Sequence, residues 1–238
     1  MRYKFYMEIS KNKRVQIIDV IRGTCIILMV VYHFFYDLTS NNLFPERIFY
    51  SNILSNLQAF FSCVFIVVSG ISSTFSRNNL KRGIFILLAG LGVTAVTYVI
   101  DNTGYVRFGI LHLLGSLAII YFFLERNLRH ISQKIQIIVY LPLFFVFEQI
   151  IGQKTDLNWL YMYGFYNKDF NSTDYFPILP YIFVYLFGTS LGYYIKRNKF
   201  PKWFYDFNFP PFSFVGRNSI LIYLLHQPVC MGIIMLLK

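Results

Sequence analysis

The sequence predicts an all-α polytopic membrane protein, a bundle of about seven transmembrane helices with the N-terminus in and the C-terminus out. Three observations carry that expectation. The 238 residues are 56% hydrophobic and only 14% charged, where a soluble domain is about a quarter charged. Seven apolar stretches approach the roughly 20 residues that a helix needs to cross the hydrocarbon. Basic residues, finally, alternate between loops as the positive-inside rule requires. Disorder, a collagen-like repeat and a disulfide scaffold are excluded, because the chain is neither polar nor enriched in Gly or Cys.

In chain order the predicted spans are 17–38, 53–75, 83–100, 106–124, 135–151, 176–195 and 213–237. The first is too long for a cleaved signal peptide, carries Asp19 and Arg22, and is followed by no small-x-small site. In the second, Ser69-Gly70 and Ser72-Ser73 read as close helix packing, as do Gly188 and Gly192 in the sixth. The fourth carries His112, the fifth ends near Glu148, the sixth opens at Asp174, and the seventh holds Tyr223 and His226. Cys25, Cys63 and Cys230 fall inside spans and read as buried thiols. What remains is short loops, so residues 1–238 are expected to form one integral-membrane domain. It has an arm at 1–14 and a long aromatic outer loop at 152–175, read as a lid or acceptor surface. Asn171-Ser172-Thr173 fits a glycosylation sequon. No internal repeat is evident.

The formal charge of +11 fixes the orientation. One side receives Arg2, Lys4, Lys11, Lys13 and Arg14, then Arg77, Lys81 and Arg82, then Arg126, Arg129 and Lys134, then Lys196, Arg197, Lys199, Lys202 and Arg217. The other receives only Arg47, Arg107, Lys154, Lys168 and Lys238. The first side is therefore cytoplasmic, and the basic excess is no nucleic-acid footprint. Richness in Ile, Phe, Tyr, Asn and Lys suggests an AT-rich, bacterial genome, and hence a multi-pass protein of the plasma membrane.

Ionisable residues inside a span are costly and mark a bundle interior or a watery route. At about 100° per residue, Asp19, Arg22, His33 and Asp37 lie within roughly 60° of one another on the first helix. Arg22 and His33 are about 16 Å apart along its axis. Asp19 and Arg22 can be read as an ion pair anchoring one interface, but His33 lies too deep to snorkel. His112 and His226 join it in the outer half, with Asp37 one turn beyond His33. Ser219, Tyr223 and His226 share one face. A lone intramembrane His is often a packing residue; three at similar depth favour a shared polar site. His130 lies in a basic loop and reads as solvated. Around the cytoplasmic mouth, Arg14, Arg77, Lys81, Arg82, Arg217 and Asn218 admit two readings: topology signals that meet anionic lipid, or a seat for a phosphate-rich ligand.

Several strings also resemble a known family. Arg14 with Asp19, Arg22-Gly23, Met29, His33-Phe34 and Asp37 resembles the opening helix of the heparan-alpha-glucosaminide N-acetyltransferase catalytic domain. The spacing from Arg22 to His33 is also similar to the acyltransferase-3 family. Phe65, Ser69-Gly70, Ser76-Arg77 and Arg82-Gly83 continue the resemblance in order, then Tyr105 to His112, Asp174 to Pro180, and Gly216-Arg217-Asn218-Ser219 through Tyr223 to His226-Gln227-Pro228. The resemblance spans nearly the whole chain. It implies a short bacterial member of the transmembrane acyltransferases, moving an acetyl or other acyl group from acyl-CoA to an extracytoplasmic sugar amine or hydroxyl. The chain is shorter than the lysosomal enzyme and lacks its lumenal domain, which implies an acceptor other than heparan sulfate.

Residues and resemblance together give these expectations. Acetyl-CoA or another acyl-CoA is the co-substrate, held at Asp19, Arg22, Arg77, Arg82 and Arg217. His33 is the general base, oriented by Asp37, and His112 or His226 stabilises the oxyanion or takes the base role; a covalent acyl-His is the variant mechanism. Arg107, Glu148, Asp174 and Tyr223 face the acceptor. No metal is called for; the candidate partners are membrane lipid, acyl-CoA, a carbohydrate acceptor and a second copy of the chain, with no nucleic acid. The rival classes are a secondary transporter, a cytochrome using two of the histidines as axial ligands, and a pure assembly protein. A retinal-type receptor fails, since the seventh span offers only Lys238 for a Schiff base.

Overall fold

A computed structural model describes residues 14–151 and 159–237. The expectations placed on Arg2, Lys4, Lys11, Lys13, Lys154 and Lys238 lie outside the described residues. Among the described residues seven helices are long and apolar enough to cross a membrane, and the only strand-like pairing is one bridge between Phe108 and Tyr175. Large apolar side chains face outward, with Val99, Ile100 and Leu236 about four-fifths or more exposed (86%, 79% and 88%). A water-soluble fold would not leave such side chains bare, and lipid covers them without cost.

The chain divides into two compact units. The first comprises residues 1–65 and 195–238. Its long helix α1, Gln16–Ser40, carries Asp19 in its first turn, where the positive end of the helix dipole favours an acid. It closes on Asn41 and Asn42: the Asn41 N–H donates to the Asp37 carbonyl, and Asn42 takes the left-handed conformation (φ 60°). A short α2, Glu46–Phe49, follows, and α3, Asn52–Phe75, begins in this unit and ends in the other.

The second unit comprises residues 66–194. Beyond the end of α3 it holds α4 (Asn79–Ile100), α5 (Ile110–Leu128), α6 (Gln133–Ile150) and α7 (Ile178–Lys196). Asn78 caps α4 by accepting the Lys81 N–H at 2.9 Å. The predicted packing of small residues is present. A Cβ on Gly70 would collide with the Tyr185 carbonyl, one on Gly188 with the Val67 carbonyl, and one on Gly192 with the Thr74 side chain. The α4–α5 pair meets in the same way through Gly83 and Gly115.

The chain then returns to the first unit through α8 (Lys202–Asp206), α9 (Pro210–Arg217) and α10 (Ser219–Leu237), with α9 and α10 packed along α1. Gly216 of α9 lies against the Asp19 carbonyl and Gly23 of α1 against the Phe212 carbonyl, so neither position has room for a side chain.

Two predicted spans need correction. The span expected at 213–237 is not continuous: the Asn218 backbone (φ −100°, ψ 19°) leaves the helix, and its N–H and side chain turn back onto Phe214 and Val215 carbonyls. Of this stretch only α10 is long and apolar enough to cross, and Arg217 ends a separate short helix. The span expected at 106–124 starts later, at Ile110, because residues 106–109 are non-helical and hydrogen-bonded to neighbouring segments.

Candidate functional site

In the first unit α1 carries two polar centres. Asp19, 3% exposed, accepts Nε of Arg14 at 2.5 Å and Nη2 at 2.9 Å, a bidentate pair, and Nη1 of Arg22 at 3.0 Å. Nε of Arg217 approaches to 3.9 Å, and Arg22 also donates to the Gly216 carbonyl at 3.4 Å. The hydrogen bond to Asp19 raises the Arg14 pKa above its ordinary value. Three guanidiniums around one carboxylate leave a net positive centre. Arg14 and Arg217 remain about half exposed (59% and 46%), within reach of an anion. The crossing of α1 and α9 at Gly23 and Gly216 creates this arrangement, because it brings Arg217 to Asp19.

The second centre lies four to five turns further along α1. The rings of His33 and His226 face each other with centroids 5.1 Å apart. His226 Nδ1 is bonded to the Tyr223 carbonyl, which assigns the proton of a neutral ring to Nδ1 and makes Nε2 the acceptor nitrogen. The Tyr223 ring stands 5.4 Å from that of His226, so this predicted pair is together. Asp37 departs from expectation. Its carboxylate, 5% exposed, accepts both its hydrogen bonds from Nε2 of Gln227, at 3.0 and 2.9 Å, and does not hydrogen-bond His33. One helical turn places Asp37 and His33 on the same face, but the amide from α10 takes the carboxylate. Gln227 is the residue that inspection of ionisable groups missed. The signal was present in its place beside His226, in a span where any polar side chain needs a partner.

The second unit holds the other candidates, of which Arg82, His112 and Asp174 have definite hydrogen-bond partners. Nη1 of Arg82 donates to Ser73 Oγ at 2.6 Å and Nη2 to Ser69 Oγ at 3.1 Å. Ser73 is also bonded to the fully buried Tyr185 hydroxyl. This is a cation held by neutral oxygens. Arg77 is exposed, and so is Glu148. His112 is buried, and both ring nitrogens are engaged: Nδ1 accepts the Gly109 N–H at 3.2 Å, and Nε2 lies 3.1 Å from the Thr94 hydroxyl. The Thr94 hydroxyl donates to the Val106 carbonyl at 2.7 Å. The proton therefore sits on Nε2, and His112 serves as the cap of α5. Asp174 shares that duty, accepting the Ile110 N–H at 3.1 Å. Both are thus placed as framework for the start of α5. The predicted sequon is framework too: Ser172 accepts the Arg107 N–H, and Thr173 is bonded to the Gly104 carbonyl. Of the cysteines, Cys25 and Cys230 are buried and Cys63 partly so.

Seven membrane-length helices among the described residues, with Asp19, Asp37 and His112 buried in two of them, define an integral, multi-pass membrane protein with polar groups inside its helices. Residues 14–228 match the family described as heparan-alpha-glucosaminide N-acetyltransferase, catalytic. The chain belongs to that family, and its class is that of a membrane acetyltransferase. No curated protein and no solved structure matches it.

Proposed function

We propose that this protein transfers an acetyl or other acyl group from acyl-CoA, taken from the cytoplasm, to an amine or hydroxyl of a sugar on the opposite side of a bacterial plasma membrane. The observation that carries the reading is the His33–His226 pair beside a buried Asp37 whose partner is a neutral amide. The alternation of basic loops supports an inside N-terminus.

In this reading His33 removes the proton from the acceptor N–H or O–H as the heteroatom attacks the thioester carbonyl. The C–S bond breaks, and the CoA thiolate leaves with the proton from the imidazolium. Asp37, one turn away, acts on His33 through space and not through a hydrogen bond. It supplies the negative charge that the imidazolium needs while it exists. His226, with its acceptor nitrogen fixed by the bond to Tyr223, is the second candidate base. Arg14, Arg22 and Arg217 supply positive charge for the CoA phosphates.

The test is direct. Purified protein in a lipid disc is incubated with radiolabelled acetyl-CoA and a panel of glycans. Retention of label by the protein, with release of free CoA only when a glycan is present, is the expected result. Absence of any acyl-CoA binding overturns the proposal and favours a transporter.

A further inference from the structure

We propose that Arg107, in the second unit, forms an anion-receiving subsite for an acidic sugar: the guanidinium takes the sugar carboxylate, and the Tyr105 ring beside it offers the sugar an apolar surface. The starting point is the Arg107 side chain itself. Its guanidinium carbon lies 4.9 Å from the Tyr105 ring centroid and 5.4 Å from that of Phe170. Its Nε is buried with no hydrogen-bond partner, and among the described residues no carboxylate pairs with it. Buried donors are satisfied in nearly all folded structures, so an orphan on a permanent cation marks a missing partner.

The carboxylates close by in sequence are engaged elsewhere. Asp101 accepts the N–H and hydroxyl of Thr103 at 2.9 and 2.6 Å, and these bonds lower its pKa. Asp174 accepts the Ile110 N–H. The backbone around Arg107 is meanwhile tied down. The Val106 N–H donates to Thr97 Oγ1 at 3.1 Å, the Arg107 N–H to Ser172 Oγ at 3.1 Å, and the Phe176 N–H to the Phe108 carbonyl at 2.9 Å. A receptor held in this way loses little freedom when its ligand arrives.

The chemistry selects the ligand. Nε and one Nη of an arginine form a flat two-donor edge that matches a carboxylate. The Tyr105 ring beside the guanidinium suits the C–H face of a pyranose, as amphipathic aromatic surfaces do generally, while Phe170 is already packed by Tyr161, Tyr166 and Tyr175 and backs the site. Interfacial anchoring accounts for aromatic residues near a membrane surface, but it leaves the buried donor unexplained. A phosphate headgroup would meet the same edge. The sugar is favoured because the surrounding groups belong to the polar 171–174 segment and its hydroxyls, not to a lipid-facing helix flank.

That the bound sugar is the acyl acceptor rests on the function proposed above; the anion subsite itself does not. Intact protein in phosphatidylcholine discs is titrated with trigalacturonate and with the same trisaccharide after carboxyl reduction. Wild type is expected to bind the acid about tenfold more tightly, and Arg107→Gln to erase that preference. Arg107→Lys, which keeps the charge without the fork, should recover only part of it. As a measurement independent of mutant folding, trigalacturonate should protect wild-type Arg107 from phenylglyoxal, read by mass spectrometry. Equal affinity for the two sugars, a preference that survives Arg107→Gln, or no protection overturns the subsite. Loss of the acid preference in phosphatidylglycerol discs also overturns it, in favour of a lipid headgroup. Carboxylate-selective binding without acyl transfer to any sugar supports the subsite and overturns the acyltransferase reading alone.

Discussion

Asp19 and Asp37 lie on the same helix, about 27 Å apart along its axis, and both are almost fully buried, at 3% and 5% exposed. Asp19 is met by Arg14, Arg22 and Arg217, whereas Asp37 is met by the neutral amide of Gln227. The first centre has more positive charge than it can use, so it is locked as structure and left with an appetite for anions. The second has a negative charge with no cation hydrogen-bonded to it and an imidazole one turn away. One residue type thus stands in two settings along a single helix: among arginines at one end, and against a neutral amide at the other, where the proposed function has it await a transient cation. Burial alone does not tell these settings apart; the partners do.

The sharpest break of this comparison is at His33. If Asp37 waits for an imidazolium, His33→Ala should lower acyl transfer by about 10²–10⁴-fold while helical content and acyl-CoA binding persist. Steady-state transfer rates and an acyl-CoA binding isotherm check both halves, and an unchanged rate would falsify the assignment of His33 as base. Next in size is Asp19→Ala, which strands Arg22 inside the unit. The expected loss is about 3 kcal/mol of stability, at the low end for a broken buried pair because Arg14 and Arg217 can reach water. Thermal unfolding in detergent reads it. Asp37→Asn makes the counterpoint. It keeps the shape and at least one bond to Gln227, so stability should move little while transfer falls about tenfold through loss of the imidazolium's counter-charge. If Asp37→Asn destabilises the protein as much as Asp19→Ala does, the two carboxylates are both structural and the contrast collapses.

The sequence made much of this legible, and the reasons it fell short are specific. All seven crossings were visible, because membrane length and low charge are properties that a hydropathy window integrates. The Asp19–Arg22 pair and the His33–Asp37 face followed from helical periodicity alone. Periodicity could not reveal that Gln227, 190 residues away, claims the Asp37 carboxylate, nor that Asn218 ends a helix inside an apolar run. The first depends on which helices pack together. The second depends on a local hydrogen-bond pattern around one asparagine, which averaging over about 20 residues removes. His112 was drawn into the reactive set for a related reason. Depth in a span marks a residue as polar, but whether its nitrogens are already used is decided by backbone geometry at the start of α5.

That last point carries the smallest of the predicted effects, and a discriminating one. The Gly109 N–H occupies His112 Nδ1, so Nε2 must donate, and the Thr94 hydroxyl stands there to receive it while passing its own proton toward the Val106 carbonyl. Replacing Thr94 by Val keeps the volume and removes both bonds at once. Because His112 and Val106 lose one partner each in a partly buried site, stability should fall by about 1 kcal/mol, seen as a lowered unfolding temperature. The rate per folded molecule should not change, since a ring whose two nitrogens are committed to the backbone frame has none left for the acyl group. A Thr94→Val protein that folds normally yet loses transfer would return His112 to the reacting residues and leave the His33–His226 pair as only part of the machinery.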